Sequence, residues 1–346
     1  MAIKMNVVEC ELGNYIHYWR GLPKTGKTTL FRDLVLELYN DPTKGLLVVF
    51  GNEYGHKSLH NLQYEEITTW DKPEDVNGNR GFVQLVDDLI RNNKNYGIKL
   101  IGFDTIDKMI EVATEEVKRL STIETGKVCS SINSAFGGYG RGKEKLKDLI
   151  NEQLARLTSI GLFPIVIGHS KKKEKTDEYT GDSFETITGS LTGDYDAIFG
   201  DIAQINMMVT VDRNIVDGKV AGSVTNMWFR NNGIIDAGSR FEGMPEKMEL
   251  SAANYIKAFN MGVEASKKAK GIVASNADIP TVNDEPDVSI DNDIDVAALK
   301  KEINDALKAG TISKNQFMVE VQNEGLSKIS EGTPAQVLKI KKALLG

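Results

Sequence analysis

The sequence has 346 residues, of which 40% are hydrophobic, and a formal net charge of −7, which suits one large domain with an appendage. It lacks the run of roughly eighteen apolar residues that a membrane-spanning helix needs and an apolar signal-peptide core, so we expect a cytoplasmic protein with no membrane partner. Two cysteines, Cys10 and Cys129, are too few for a disulfide framework or a zinc site. The charge does not exclude a nucleic-acid partner, because seven acidic residues between Gly271 and Leu299 account for all of it.

Short apolar runs alternate with longer amphipathic runs from Tyr15 to Arg230. The predicted strands are Tyr15–Arg20, Gly45–Phe50, Lys99–Phe103, Phe163–Gly168, Ile202–Val211 and Val224–Arg230. The predicted helices are Lys27–Tyr39, Phe82–Asn92, Thr105–Leu120, Lys143–Ile160 and Ser251–Phe259. This alternation predicts an α/β fold with a mainly parallel central sheet flanked by helices.

A glycine-rich turn joins the first predicted strand to the first predicted helix. Gly21–Thr28 reads GLPKTGKT, which fits the pattern of a phosphate-binding P-loop. In such loops backbone N–H groups and the helix N-terminus hold the phosphates, the lysine reaches the β- and γ-phosphates, and the hydroxyl binds Mg²⁺. We therefore predict a site for ATP and Mg²⁺, with Lys27 on the phosphates and Thr28 on the metal. The predicted nucleotide-binding residues are Gly21, Leu22, Pro23, Lys24, Thr25, Gly26, Lys27, Thr28 and Thr29.

The second predicted strand, Gly45–Phe50, is followed by a short turn and Glu53. Parallel strands end at one edge of a sheet, so Glu53 is expected near the P-loop. Hydrolysis needs a group that orients or deprotonates water, and Glu53 is our candidate. An ordinary glutamate in an exposed turn fits the same spacing.

The apolar strand Lys99–Phe103 delivers Asp104 to the same edge. A P-loop site needs a carboxylate near Mg²⁺, and Asp104 is our candidate ligand. Capping the helix that follows is an alternative role that is compatible with metal binding. Asp107, about one turn into that helix, is a second candidate.

The strand Phe163–Gly168 leads into His169 and then into three consecutive lysines, so it also delivers a polar side chain to this edge. The lysines are Lys171, Lys172 and Lys173. Because Ser170–Ser190 is polar and lacks apolar periodicity, we predict a long loop without regular structure, and loops of that length are usually functional or disordered. The lysine run suits either nucleic-acid phosphates or a solvated surface.

The last part of the chain has a different composition. Residues 263–294 are acidic, include Pro280 and Pro286 and have no aromatic residue, which predicts a flexible linker. Apolar residues at helical spacing then predict a small helical module over residues 295–346. These apolar residues are Val296, Leu299, Ile303 and Leu307. Residues 1–262 are the predicted nucleotide-binding core.

In this order the motifs resemble the ATPase core of the RecA and RadA recombinase superfamily. They resemble more closely the phage-encoded Sak4-type single-strand annealing ATPases, over about Tyr15 to Phe259. The resemblance implies a RecA-like P-loop NTPase, an ATPase that binds single-stranded DNA in phage recombination, located in the host cytoplasm. It implies that Glu53 activates water, and that His169 senses the γ-phosphate and relays it to Ser170–Ser190. The RecA branch usually has glutamine at the sensor position, so histidine favours the annealing branch.

The resemblance also implies further site residues and partners. A second DNA loop corresponds to Ser134–Lys145, where Tyr139 and Arg141 are candidates for DNA contact, although loop flexibility alone explains its glycines. Arg240, and less directly Arg230, correspond to basic residues that act in the ATP site of a neighbouring subunit; surface ion pairing is the alternative. The implied partners are single-stranded DNA, further copies of the chain in a ring or filament, and a single-strand DNA-binding protein.

Two other classes of function fit the same nucleotide site. One is a helicase or helicase-loading motor, which would displace a strand from a duplex. The other is a nucleotide-dependent scaffold or packaging-associated NTPase without DNA chemistry.

Overall fold

A central sheet organises the larger of two compact units. The computed structural model describes residues 10–51, 53–75, 77–216, 219–270, 296–323, 328 and 334–345. Of these, the residues up to Lys270 belong to one unit and those from Val296 onward to a second. No helix in the described part of the chain is long and apolar enough to cross a membrane.

The sheet of the first unit has the strand order β10-β8-β7-β1-β5-β4-β2-β3, with β6 paired to β5 and β9 to β7. Its strands are β1 His17–Gly21, β2 Gly45–Phe50, β3 Tyr64–Ile67, β4 Leu100–Asp104, β5 Pro164–Thr176, β6 Ser183–Gly189, β7 Ile205–Val216, β8 Lys219–Trp228, β9 Gly238–Ser239 and β10 Lys247–Glu249. The six strands from β7 to β3 run parallel, and β6, β8, β9 and β10 pair antiparallel to their neighbours. The carboxyl ends of the parallel strands therefore share one edge.

Helices cover both faces of this sheet. They are α1 Lys27–Tyr39, α2 Phe82–Tyr96, α3 Ile106–Thr125, α4 Arg141–Ser159, α5 Gly193–Gly200 and α6 Ala252–Lys270. Successive residues of β1 enter different cores, because side chains alternate across a strand. Tyr18 packs in the core with residues of α2 to α5, and Trp19 packs with residues of α1 and α6. All six residues of β2 are buried, as expected for a strand covered on both sides.

The predicted fold class is confirmed, and each predicted strand and helix has a counterpart in the structure. β2 and α1 have the predicted bounds. The strands β3, β6, β9 and β10 and the short helix α5 have no counterpart in the prediction. Helix α6 extends to Lys270, beyond the predicted end of the core at residue 262. Residues 271–294 of the predicted linker lie outside the described residues.

The segment Ser170–Ser190 is an antiparallel hairpin, so the prediction of a loop without regular structure was wrong. β5 pairs with β6 from Ser170 opposite Gly189 to Thr176 opposite Ser183. Most side chains of the ribbon are polar and exposed on both faces, so no alternation of apolar and polar residues marks these strands. Backbone hydrogen bonding, rather than burial, defines the hairpin.

A second ribbon lies on the other side of β1. β1 pairs with β5 as far as His169 and with β7 as far as Val209. Both partner strands continue beyond β1, β5 in the hairpin with β6 and β7 in a hairpin with β8. The turn that follows Gly21 therefore emerges between the bases of two hairpins.

The described part of the second unit is helical, as the apolar spacing predicted. Its helices are α7 Val296–Lys308, α8 Lys314–Asn323 and α9 Pro334–Leu345. They share a small apolar core that includes Ile303, Val321 and Val337.

Candidate nucleotide-binding site

The glycine-rich turn has the geometry of a phosphate cradle. Gly21 ends β1 beside β7, where an added Cβ would lie 2.9 Å from Val209 Cβ, so a larger residue does not fit. Gly26 precedes α1 with a φ of 91°, in the left-handed region that glycine adopts readily. The first N–H groups of α1 have no partner within the helix and carry its positive dipole end. The turn therefore presents donors where an anion can bind.

The side chain of Lys27 is buried beneath this turn and hydrogen-bonds to its backbone. Its Nζ donates to the carbonyl oxygens of Gly21 and Leu22, each at 2.8 Å, and the residue is only 5% exposed. Burial lowers the pKa of Lys27 to about 8, and the charges of Asp104, Asp107 and Glu53 act in the opposite direction. A buried ammonium of this kind is stabilised by anionic ligands such as phosphates.

Thr28 and Asp104 form the candidate metal site. Thr28 Oγ1 donates to Asp104 Oδ2 at 2.7 Å, and Asp104 is 8% exposed at the end of β4. Burial raises the pKa of Asp104, against the Thr28 hydrogen bond and the charge of Lys27. The N-cap of α3 is Thr105, and no side-chain hydrogen bond caps it. The carboxylate thus faces the P-loop hydroxyl and does not cap the helix.

This pair of oxygen ligands suits Mg²⁺ in particular. Mg²⁺ usually keeps several water ligands and binds one or two protein groups together with substrate phosphates. Among the described residues no cluster of three or more His, Cys, Asp or Glu side chains forms a metal site. A hydroxyl and a single carboxylate beside a phosphate cradle fit a metal that arrives with a nucleotide.

Asp107 does not belong to the metal pair. Its Oδ2 accepts from the backbone N–H of His169 at 3.0 Å and lies 3.2 Å from His169 Nδ1. Its Oδ1 accepts a hydrogen bond from Ser190 Oγ. Both oxygens are therefore engaged at the base of the β5–β6 hairpin.

One cavity of about 500 Å³ brings the predicted residues together. A volume of this order suits a small-molecule ligand. The predicted residues that line it are Pro23, Lys24, Thr25, Gly26, Lys27, Thr28, Thr29, Glu53, Asp104 and His169. These residues come from four segments that are distant in sequence and meet where parallel strands end.

Glu53 is half-buried and faces this cavity. Its negative charge raises the pKa of both Lys27 and Asp104, so the carboxylate lies within electrostatic reach of the metal pair. An ordinary exposed turn does not describe these surroundings.

His169 is placed by β5, which pairs with both neighbouring strands of the site. It lies opposite Gly21 of β1 in the parallel register, and Ile167, two residues earlier, lies opposite Asp104 of β4. The imidazole is thus held between the P-loop strand and the strand of the candidate metal ligand.

The cavity also has lining residues that the sequence reasoning missed. A short 3₁₀ helix, Gly55–Ser58, follows Glu53 and contributes Gly55, His56 and Ser58, and Leu59 comes next. His56 is 3% exposed, and its ring centroid lies 4.3 Å from that of Tyr64. The available signal was position, because these residues directly follow a strand end at the sheet edge.

The two arginines predicted to act between subunits lie away from this cavity. Arg240 follows β9, which pairs with the first residues of β7, and its Nη2 donates to Asp201 O at 2.9 Å. This places Arg240 at the amino ends of the parallel strands, the edge opposite the P-loop. Arg230 donates to the carbonyl oxygens of Ser239, Phe241, Glu242 and Met244, so its guanidinium is occupied within the chain.

The candidate DNA-contact residues also lie outside the nucleotide cavity. Tyr139 is 99% exposed. Arg141 begins α4, with Nη1 3.3 Å from Phe136 O. The lysines of β5 line a separate cavity of about 550 Å³ with the first residues of α5. Each of these residues is accessible to a macromolecular ligand.

Comparison with known proteins gives one family match. A family profile described as AAA domain matches residues 14–241, which include the P-loop and the cavity residues from Glu53 to His169. No curated protein has a significant sequence match. Among solved structures, a similar chain is the KaiC-like protein PH0186 from the hyperthermophilic archaeon Pyrococcus horikoshii OT3, with 13% identity and a TM-score of 0.35 over 69% of this chain and 90% of that chain. A similarity this distant carries no argument about function.

Proposed function

Since the chain belongs to the AAA domain family and is a P-loop NTPase, we propose that it is a Mg²⁺-ATP-dependent ATPase that binds single-stranded DNA and anneals or pairs strands in phage recombination. One observation carries the proposal. His169 lines the nucleotide cavity, and its strand continues directly into a hairpin with four lysines on β5. The resemblance of the motifs to phage annealing ATPases supports the biological setting.

The nucleotide chemistry follows from the cavity. Lys27 and the N–H groups at the start of α1 would hold the phosphates, and Thr28 and Asp104 would hold Mg²⁺. The metal would supply charge neutralisation on the phosphate oxygens. Glu53 orients and deprotonates the attacking water, and His169 contacts the phosphate that is transferred.

The hairpin has one face that suits DNA and one that does not. Side chains alternate along β5, so Lys171, Lys173 and Lys175 share one face and Lys172 lies on the other with Glu174. Lys172 forms an ion pair with Glu185 at 2.8 Å, and Glu174 lies directly opposite Glu185. The Lys172 face therefore carries net negative charge on the hairpin, and the other face carries three lysines. We assign phosphate contact to the three-lysine face.

The contacts on that face support this assignment. Lys171 Nζ donates to Ser190 O at 2.7 Å, which keeps its positive charge near the base of the hairpin. No ion pair involves Lys173 in the described part of the chain. Tyr139 and Arg141 extend the proposed DNA surface, because an exposed aromatic ring and a guanidinium can stack on bases.

Oligomerisation completes the proposed mechanism. Arg240 is exposed at the sheet edge opposite the P-loop, so it cannot act in the cavity of its own chain. In a ring or filament, that edge of one subunit can face the P-loop edge of the next. We assign Arg240 to the neighbouring subunit's site.

The test combines three assays on the purified protein. ATP hydrolysis is measured with and without single-stranded DNA, annealing of complementary labelled strands is measured with and without ATP, and duplex unwinding is measured in parallel. We expect hydrolysis stimulated by DNA together with annealing. Unwinding without annealing would identify a motor, and absence of DNA binding would leave a nucleotide-dependent scaffold.

A further inference from the structure

A single carboxylate, that of Asp107, joins the wall of the nucleotide cavity to both strands of the β5–β6 hairpin. Asp107 lies in the first turn of α3, three residues after Asp104. Its Oδ2 contacts His169 twice, at the backbone N–H and at ring Nδ1, and its Oδ1 accepts from the hydroxyl of Ser190. The backbone N–H of Ser190 donates to His169 O at 2.9 Å, which closes the base of the hairpin.

The ionised carboxylate of Asp107 is a strong hydrogen-bond acceptor in this position. Burial raises its pKa, but hydrogen bonds from His169 and Ser190 outweigh that effect and hold the pKa of Asp107 at about 2. Hydrogen bonds to an ionised acceptor are stronger than those between neutral groups. The contacts of Asp107 with His169 and Ser190 are therefore charge-assisted hydrogen bonds.

The same contacts determine which ring atom of His169 can meet a ligand. A ring nitrogen that donates to a carboxylate carries a proton, and this fixes the orientation of the ring. Nδ1 of His169 is directed to Asp107, so Nε2 is the ring nitrogen left for a ligand in the cavity.

Displacement of the buried part of β5 does not explain how a ligand in the nucleotide cavity could affect the β5–β6 hairpin. Ile165, Val166 and Ile167 are all 0% exposed, and close packing resists displacement of such residues. Beyond Ser170 the strand is exposed and is held mainly by its pairing with β6. The side-chain contacts of Asp107 at the base of the hairpin are one connection that does not require such movement.

We propose that Asp107 is a positioning residue that couples nucleotide binding to the β5–β6 hairpin by holding His169 and Ser190 together. The proposal rests on the proposed function for the identity of the nucleotide and for the role of the hairpin. It adds a specific route: a phosphate that contacts His169 changes the order of both hairpin strands through one carboxylate.

Amide hydrogen exchange of the full-length protein tests this route, with and without a non-hydrolysable ATP analogue. Three variants are compared with the wild type. Asp107→Asn keeps the size of the side chain but removes its negative charge and one of its two oxygen acceptors, so the contacts with His169 and Ser190 lose their charge-assisted strength. Ser190 directly follows β6. Ser190→Ala removes its hydroxyl contact with Asp107 and leaves the contacts between Asp107 and His169 in place. Glu111→Gln, an exposed residue on the same helix paired with Lys108, is the matched control.

We expect the analogue to slow exchange across residues 171–189 in the wild type and in Glu111→Gln. In Asp107→Asn this difference should be lost when the analogue is present at a concentration that saturates the variant. In Ser190→Ala it should be lost in Ser183–Gly189 and retained in the β5 half. A full nucleotide-dependent difference in Asp107→Asn, or none in the wild type, would overturn the proposal.

Two further measurements separate the possible causes of failure. Thermal melting identifies a variant that does not fold, in which case Ser190→Ala, a smaller change, decides the outcome. The exchange experiment contains no DNA. A wild-type protein that fails to bind DNA would therefore refute the proposed function without affecting the test of Asp107.

Discussion

Replacement of single lysines on opposite faces of the β5–β6 hairpin tests the proposed DNA surface most directly. Lys172 and Lys173 are adjacent in sequence and identical in type, but Lys172 is paired with Glu185 and shares its face with a second glutamate. Lys173→Ala should weaken DNA binding, and Lys172→Ala should leave it nearly unchanged. Each substitution removes one positive charge, so a general electrostatic effect cannot produce the difference.

The magnitude follows from counterion release. Each lysine that contacts a phosphate of single-stranded DNA adds about 0.7 to the slope of log affinity against log salt concentration. Lys173→Ala should therefore reduce the slope by about 0.7, and the triple replacement of Lys171, Lys173 and Lys175 by about 2.1. For a roughly fourfold rise in salt, the wild type should then lose about 18-fold more affinity than the triple variant.

Fluorescence anisotropy of a labelled single-stranded oligonucleotide, titrated at several salt concentrations with an ATP analogue present, measures these slopes. An unchanged slope in the triple variant would refute the assignment, and DNA contact would have to be sought at Tyr139 and Arg141. Equal effects of Lys172→Ala and Lys173→Ala would refute the choice of face.

Three further predictions concern the nucleotide site and the core. Asp104→Asn should reduce Mg²⁺-dependent hydrolysis more than nucleotide affinity, because it alters the metal pair; equal losses together with a lower melting temperature would indicate a structural residue. Glu53→Gln should bind ATP normally and hydrolyse it roughly 10² to 10⁴-fold more slowly, and mixing it with inactive Arg240→Ala should restore part of the activity, since some interfaces then contain both groups. No restoration in confirmed mixed oligomers would argue against a shared site. His17 should make the free energy of unfolding fall as the pH drops from 7 to 4, as measured by chemical denaturation. This pH dependence should be lost in His17→Gln and retained in the control His60→Gln.

The sign of the His17 effect follows from its hydrogen bonds. Its Nε2 lies 2.9 Å from Leu12 O and its Nδ1 2.6 Å from Tyr255 Oη, which also accepts from Trp19. Burial lowers the pKa of His17 to about 4, although the Leu12 hydrogen bond acts in the opposite direction. The unfolded chain therefore takes up a proton first, so stability is full above about pH 6.5 and falls by up to about 3 kcal/mol as the pH drops towards 4. A flat stability between these pH values would contradict this reasoning.

Local chemistry explains why the nucleotide site could be predicted. The P-loop depends on contiguous residues, and its glycines, lysine and threonine have direct physical roles in one turn. β2 and β4 are buried on both faces, so they form continuous apolar runs that end where polar residues begin. Glu53, Asp104 and His169 each follow such a run, and parallel pairing places the ends of these runs at one edge.

The rest of the arrangement depends on pairing between distant segments. Most side chains of the β5–β6 hairpin are exposed, so burial leaves no alternating pattern in its sequence. The side-chain contacts of Asp107 are with residues 62 and 83 positions away, and nothing near Asp107 in the chain distinguishes it from a second metal ligand. Arg240 lies opposite the P-loop because β9 pairs with the start of β7. The sequence alone located the candidate nucleotide site, because its residues lie in short motifs at strand ends. Only the tertiary structure decided how the site connects to its surroundings, because hydrogen bonds between distant segments make those connections.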